Sequence, residues 1–170
     1  MDRIEIAGPS IDPSAFIAPG THIHGAVLIG PNAVVMFGTV IRAELDRIEI
    51  GAQTNIQDNA VLHADENVPC IVGTRVTVGH GAVVHGAMIR DHCLVGIGAR
   101  ALNRSELGEG AWLASGAVLP EGRAIPPWTL AVGIPAKPVR ELTEDEIDRQ
   151  RRGVADYQRM AAAYRRLFDG

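Results

Sequence analysis

Aliphatic residues return at every sixth position along most of the chain. Stepping by six from Ile17 gives Ile23, Ile29, Val35 and Ile41. After three extra residues the step resumes at Ile50, Ile56 and Leu62, and after four more at Val72, Val78 and Val84. One residue is then dropped, and Ile89, Val95, Ala101, Leu107, Leu113, Leu119, Ile125 and Ala131 follow. Of these 19 positions 17 are Ile, Leu or Val and two are Ala, where an apolar content of 46% gives about nine apolar hits by chance. The fifth place of the hexad is usually small (Ala33, Thr54, Ala60, Cys93, Ala99), and the second is often Gly (Gly30, Gly51, Gly73, Gly79, Gly96, Gly108). A helix does not repeat every six residues, and an ordinary strand repeats every two. The hexad fits a short strand plus a tight turn with one aliphatic side chain pointing inward. Three hexads then close one triangular coil, and stacked coils pair as parallel strands about 4.8 Å apart. The repeat runs from about Ile17 to Ala136, or roughly six to seven coils.

After Pro138 the pattern changes, which predicts an all-β coil domain over residues 1–138 and a helical segment over 139–170 packed against it. Thr143-Glu144-Asp145-Glu146 reads as a capping box. Ile147, Val154, Tyr157, Ala161, Tyr164 and Phe168 then recur at helical spacing. Gly153 is expected to break this segment into a short and a longer helix. Tyr157 and Tyr164 are read as packing residues, and Trp112 and Trp128, at repeat positions, as packing or interface residues.

Composition narrows the function classes. Aromatics are only 4%, so the core must be aliphatic. A net charge of −4 argues against a nucleic-acid binder that works by phosphate neutralisation. The most apolar stretch, Ala26 to Ile41, is broken by Gly30, Pro31, Asn32 and Gly38, so no membrane span is expected. Met1 to Glu5 lacks the basic-then-apolar pattern of a signal peptide. Cys70 and Cys93 are too few for a disulfide framework, and the expectation is a cytoplasmic protein with reduced thiols. Cys93 fills a small inward position, and Cys70 is read as a free structural thiol.

Stacking turns sequence spacing into neighbours. The hexads beginning at Ile23, Ile41, Leu62 and Val84 share one face, so their second positions, His24, Arg42, His63 and His85, form an outward column. The hexads beginning at Val35, Ile56, Val78 and Val95 share another, so their third positions, Phe37, Asp58, His80 and Ile97, form a column near a corner. His63 and His85, one coil apart, can share a metal ion, since zinc takes imidazole nitrogen at about 2.0–2.1 Å. His80 precedes His85 by five residues across a turn and a flat face, roughly 10–15 Å at about 3.3 Å per residue. One chain therefore does not easily supply all three ligands. Two chains do, if a threefold axis sets the corner column of one against the face column of the next. His22, His24 and His92 lack such company and receive no role.

These residues carry a resemblance. The hexads are similar to those of hexapeptide-repeat proteins, which implies a left-handed parallel β-helix. Within that superfamily the chain resembles the γ-class carbonic anhydrases. The matching stretches are Arg42-Ala43-Glu44, Asn55-Ile56-Gln57-Asp58, Val61-Leu62-His63 and Gly79-His80-Gly81-Ala82-Val83-Val84-His85-Gly86, with the ending Gly133-Ile134-Pro135-Ala136-Lys137-Pro138-Val139-Arg140-Glu141-Leu142. The resemblance implies a homotrimer with metal sites at subunit interfaces, His63 and His85 from one chain and His80 from the next. It implies an interfacial Arg42–Asp58 pair, with Gln57 and Asn55 lining the pocket, and hydration of CO2 to bicarbonate. Glu44 stands where the family usually has Asp, so its carboxylate reaches one methylene further. The loop Asp65 to Cys70 is short where the prototype enzyme carries a glutamate proton shuttle. Glu66, three residues after His63, occupies the shuttle's place or is a solvated loop charge.

Three imidazoles leave an open position, where zinc lowers the pKa of water to about 7. Glu44 and Gln57 are then expected to orient water or substrate. Imidazole equally suits Fe2+ and Co2+. Two other readings stay open. Glu141 to Gln158 also resembles a subgroup associated with phenylacetate and carnitine metabolism, which implies acyl-CoA thioester hydrolysis by the same metal. The third reading is a catalytically inactive, metal-stabilised trimeric scaffold.

Overall fold

The computed structural model describes residue 6 and residues 8–168. Its strands are two or three residues long over most of the chain, and each pairs in parallel with the strand one coil above and one below. The result is a left-handed parallel β-helix of about seven turns. Backbone ladders hold the coils together: Asn55 N–H donates to Val76 O at 2.9 Å, and Thr77 N–H to Cys93 O at 3.0 Å. The hexad aliphatics point inward. Ile41, Ile56, Leu62, Val78, Val84, Ile89, Leu107, Leu113 and Leu119 are all fully buried in one continuous stack. The coil starts earlier than Ile17, because Ser10–Ile11 already pairs in parallel with Leu28–Ile29. At the other end Lys137–Glu141 turns back antiparallel against Thr129–Val132.

Corners are turned by residues in the left-handed backbone region, among them Asn32, Gln53, Asn59, Arg75, His92 and Trp128. Two strands, His22–Ile29 and Val40–Ile50, instead run round a corner without a break, with a shift of register between Gly25 and Val27. That shift absorbs the three extra residues after Ile41. Gly25 is required there: its φ is 90°, and a Cβ would meet the Ala43 carbonyl oxygen at 2.0 Å.

A single helix spans Glu144–Phe168 and lies on the face that carries Val34–Val35 and Thr77–Val78. The expected break at Gly153 does not occur. A mid-helix Gly costs only about 1 kcal/mol, and Gln150, Val154 and Ala161 are buried on either side of it. The capping box forms as expected: Thr143 N–H donates to Glu146 Oε2 at 2.9 Å, and Glu146 N–H to Thr143 Oγ1 at 3.3 Å. Tyr157 and Tyr164 pack with Phe16, Val34 and Ala161. Beneath the helix, Asn55 Nδ2 donates to Thr77 Oγ1 at 2.9 Å, and Gln150 Nε2 donates to Thr77 Oγ1 at 3.2 Å and to Cys93 O at 3.0 Å. Both thiols are buried and free, and burial pushes each up to about 12. No helix of the described residues is long and apolar enough to cross a membrane.

Candidate metal centre

Arg42, His63 and His85 occupy one register position on three successive strands. The column expected from the hexad count is therefore present. The two imidazoles face each other, with ring centroids 5.0 Å apart and His63 Nδ1 3.1 Å from His85 Nε2. The two interruptions of the repeat bring carboxylates to this pair. The three-residue insertion carries Glu44, whose Oε1 accepts from Arg42 Nη1 at 2.7 Å while Oε2 lies 3.7 Å from His63 Nε2. The four-residue insertion carries Asp65, held by a bridge to Val68, with Oδ1 3.9 Å from His63 Nδ1 and 3.9 Å from His85 Nε2.

Asn103 fixes the protons. Its amide Nδ2 donates to Asp65 Oδ2 at 2.7 Å, so its Oδ1 accepts from His85 Nδ1, also at 2.7 Å. His85 thus carries its proton on Nδ1 and presents the Nε2 lone pair to His63. Burial lowers the His63 pKa, reinforced by the Arg42 and His85 charges and opposed by Glu44 and Asp65, which favours the neutral imidazole that binds metals. The hydrogen bond from Asn103, with the two histidines and Arg104 adding to it against burial, holds Asp65 below the usual carboxylate range. Burial works to raise Glu44, but the Arg42 hydrogen bond and the charges of Arg42 and His63 outweigh it.

The donor set fits a divalent cation. Ligand atoms of His63, Asp65 and His85 all lie within 4.8 Å of one another. Two nitrogens on a tetrahedral zinc stand about 3.3 Å apart, close to the 3.1 Å seen. Glu44 Oε2 and His63 Nε2 are buried without a hydrogen-bond partner among the described residues. With His63 Nδ1 given to a cation, its proton moves to Nε2, which faces that carboxylate oxygen. A carboxylate behind a ligating imidazole is a recurrent outer partner.

The remaining candidates stand elsewhere in the chain. His80 is 45% exposed on the side chain, and its Nδ1 lies 2.8 Å from Asp58 Oδ2 at the corner, outside the His63–His85 donor group. With Nδ1 held by Asp58, Nε2 is the ring nitrogen left without a hydrogen bond among the described residues. Gln57 is buried next to that corner, with Nε2 donating to Asn55 Oδ1 at 3.2 Å, and Asn55 lies beneath the helix. Within the chain Arg42 pairs with Glu44 and Asp58 with His80. Glu66 is exposed on its loop, and no ion pair or hydrogen bond joins it to the histidines among the described residues. The hexad count alone does not point to Asp65 or Asn103. The signal for Asp65 was the interruption of the hexad count. For Asn103 it was a polar residue one coil beyond His85.

No family model matches the chain. A carbonic anhydrase of Geobacillus kaustophilus is 45% identical over 159 residues, 94% of this chain and 87% of that protein. Gamma carbonic anhydrase 1, mitochondrial, of Arabidopsis thaliana is 34% identical over 92% of this chain, which spans 59% of that protein. The chain belongs to the γ-carbonic-anhydrase-like family of hexapeptide-repeat proteins. The carnitine operon protein CaiE of Escherichia coli is 29% identical over 88% of this chain and 76% of that protein, in keeping with the resemblance of the C-terminal segment. A solved structure of a hexapeptide transferase family protein from Anaplasma phagocytophilum superposes with a TM-score of 0.88 at 38% identity, covering 92% of each chain. The γ-carbonic-anhydrase-like relatives imply a metal, and the His63–His85 pair is where the donor atoms for one converge.

Proposed function

We propose that this protein hydrates CO2 to bicarbonate, releasing one proton, with zinc (or Fe2+ or Co2+) held between the chains of a homotrimer. The observation that carries the reading is the 3.1 Å approach of His63 Nδ1 and His85 Nε2, with the proton of His85 placed on its far nitrogen by Asn103. One chain offers Arg42, Glu44, His63 and His85; the neighbouring chain offers His80 through its Nε2, with Asp58 and Gln57 beside it. When bound, the cation supplies Lewis acidity strong enough to ionise water near neutral pH.

The chain's own groups do the rest. Arg42 steadies Glu44, and Glu44 stands behind His63 and fixes its ring. Val61, 38% exposed and two residues before His63 on the same outward side, presents apolar surface to a linear apolar gas. Gln57 from the neighbour orients water or substrate. Asp65 and the exposed Glu66 lie on the loop through which the released proton passes to solvent. The site is complete only in the trimer, so activity requires assembly.

The test is CO2 hydration by metal-loaded protein, with thioester hydrolysis and acetyl transfer run beside it. Hydration that is lost on chelation and restored by metal supports the reading. Turnover of a thioester without CO2 hydration replaces it with the acyl-CoA reading, and turnover of none of the substrates by fully loaded trimer leaves a scaffold.

A further inference from the structure

A second recess lies on the opposite edge of the helix-covered face. The corner where these strands begin stacks Gln53, Arg75, His92, Gly110 and Trp128, linked by backbone bonds such as Arg75 N–H to Ala52 O at 2.9 Å and Trp128 N–H to Glu109 O at 2.8 Å. Asp58 and His80 stand where the same strands end, so the helix separates this edge from the proposed metal site. Between the corner and the helix is a cavity of about 550 Å³, within the range that small organic molecules fill.

Its walls are of two kinds. Trp112, Trp128, Ile147 and Val154 are apolar; Arg75, Arg151 and Arg159 are cationic, and among the described residues no carboxylate lines the cavity. In a chain of net charge −4 that is a local excess of positive charge. Arg151 and Arg159 pair with Asp148 and Asp156, exposed acids that do not line the cavity. Arg75 bonds a neutral acceptor, Gln53 Oε1, at 2.8 Å, and makes no ion pair among the described residues. Trp128 turns its corner with φ at 52°, in the left-handed region that Gln53, Arg75 and His92 also adopt in the same column. Its indole lies where a Cβ on Gly110 would come within 2.2 Å of the ring, and His92 stacks on it at 6.3 Å. An aromatic floor and a cationic wall within one cavity point to a ligand that carries both a flat ring and a negative charge.

We infer that this cavity binds a small aromatic oxyanion, a flat ring system carrying a carboxylate, sulfonate or phosphate, its ring against the tryptophans and its charge toward the arginine wall, where Arg75 is the guanidinium without an acidic partner among the described residues. The inference does not depend on the metal reading. Trp112 and Trp128 are the only tryptophans in the chain, so both indole N–H signals report on this cavity. The experiment follows them by NMR in nitrogen-labelled, metal-loaded protein titrated with anilinonaphthalene sulfonate, against the uncharged N-phenylnaphthylamine of the same ring skeleton. Both indoles are expected to shift saturably with the sulfonate and to stay still with the amine at equal concentration. Arg75→Gln weakens the sulfonate response about tenfold, the usual effect of removing a charged hydrogen-bond donor. Should Arg75→Gln not fold, Arg151→Gln carries the same expectation with a smaller effect. Indoles unmoved by saturating sulfonate, equal responses to both probes, or full sulfonate affinity in the folded variant would each overturn the proposal.

Discussion

Two faces of one solenoid use the same ladder for opposite ends. On the helix-covered face the outward polar groups are satisfied inside the chain: Asn55 and Gln150 meet on Thr77, and Gln150 also reaches Cys93 O. On the histidine face the polar groups are brought together and left incomplete, with Glu44 Oε2 and His63 Nε2 buried and without partners among the described residues. Inward, both faces carry the same aliphatic stack. A satisfied buried network is structural, and an unsatisfied one needs an explanation. Here the proposed metal and neighbouring chain would complete it.

The sharpest way to break the comparison is a pair of substitutions, one facing out and one facing in. His85→Ala should abolish metal uptake and cut CO2 hydration by more than about 100-fold, since even outer partners of a metal cost 10–100-fold. Its unfolding midpoint in chelator should hardly move, because the side chain is a partly exposed surface group. Ile56→Ala should do the reverse, losing about 2–5 kcal/mol in denaturant unfolding from a fully buried position while keeping its metal when folded. A smaller effect is expected at Asn103. Asn103→Ala frees the His85 proton and should weaken metal affinity about 10–100-fold in a competition titration, with the fold intact.

The smallest effect lies at the capping box. The Arg140 hydrogen bond, with the Thr143 backbone N–H, lowers the Glu146 pKa from 4.5 to about 2. A depressed carboxylate contributes stability above its unfolded value and loses it as pH falls. Stability should therefore decline between pH 4.5 and about 2. Glu146→Gln should flatten that stretch of the pH profile in thermal melts and change little at neutral pH.

The coil was legible because burial imposes it. Each hexad must send one aliphatic residue inward, and that constraint fixes which outward residues share a column; His63 and His85 followed from counting alone. The helix start followed from Thr143 and Glu146. Gly153 misled because local propensity is weaker than the packing of Gln150, Val154 and Ala161 around it. Asp65 and Asn103 were hidden for a different reason. Asp65 lies in an insertion, where the period is silent about the path of the chain. Its position depends on the Val68 bridge and on an amide one coil further along. Glu44 shows both sides: its replacement of the family's Asp was legible, but its span between Arg42 and His63 depends on the bulge opposite Gly25. The repeat thus places the two histidines, and its interruptions add the carboxylates around them.

The most direct test is metal content per chain together with solution mass, for wild type and for His80→Ala, in protein purified without a metal-binding tag or chelator. A shared site predicts about one metal per chain in a wild-type trimer and strong loss of metal in His80→Ala, although His80 lies outside the His63–His85 group of its own chain. Full metal content in His80→Ala, or a wild-type trimer that refuses added zinc, would contradict it.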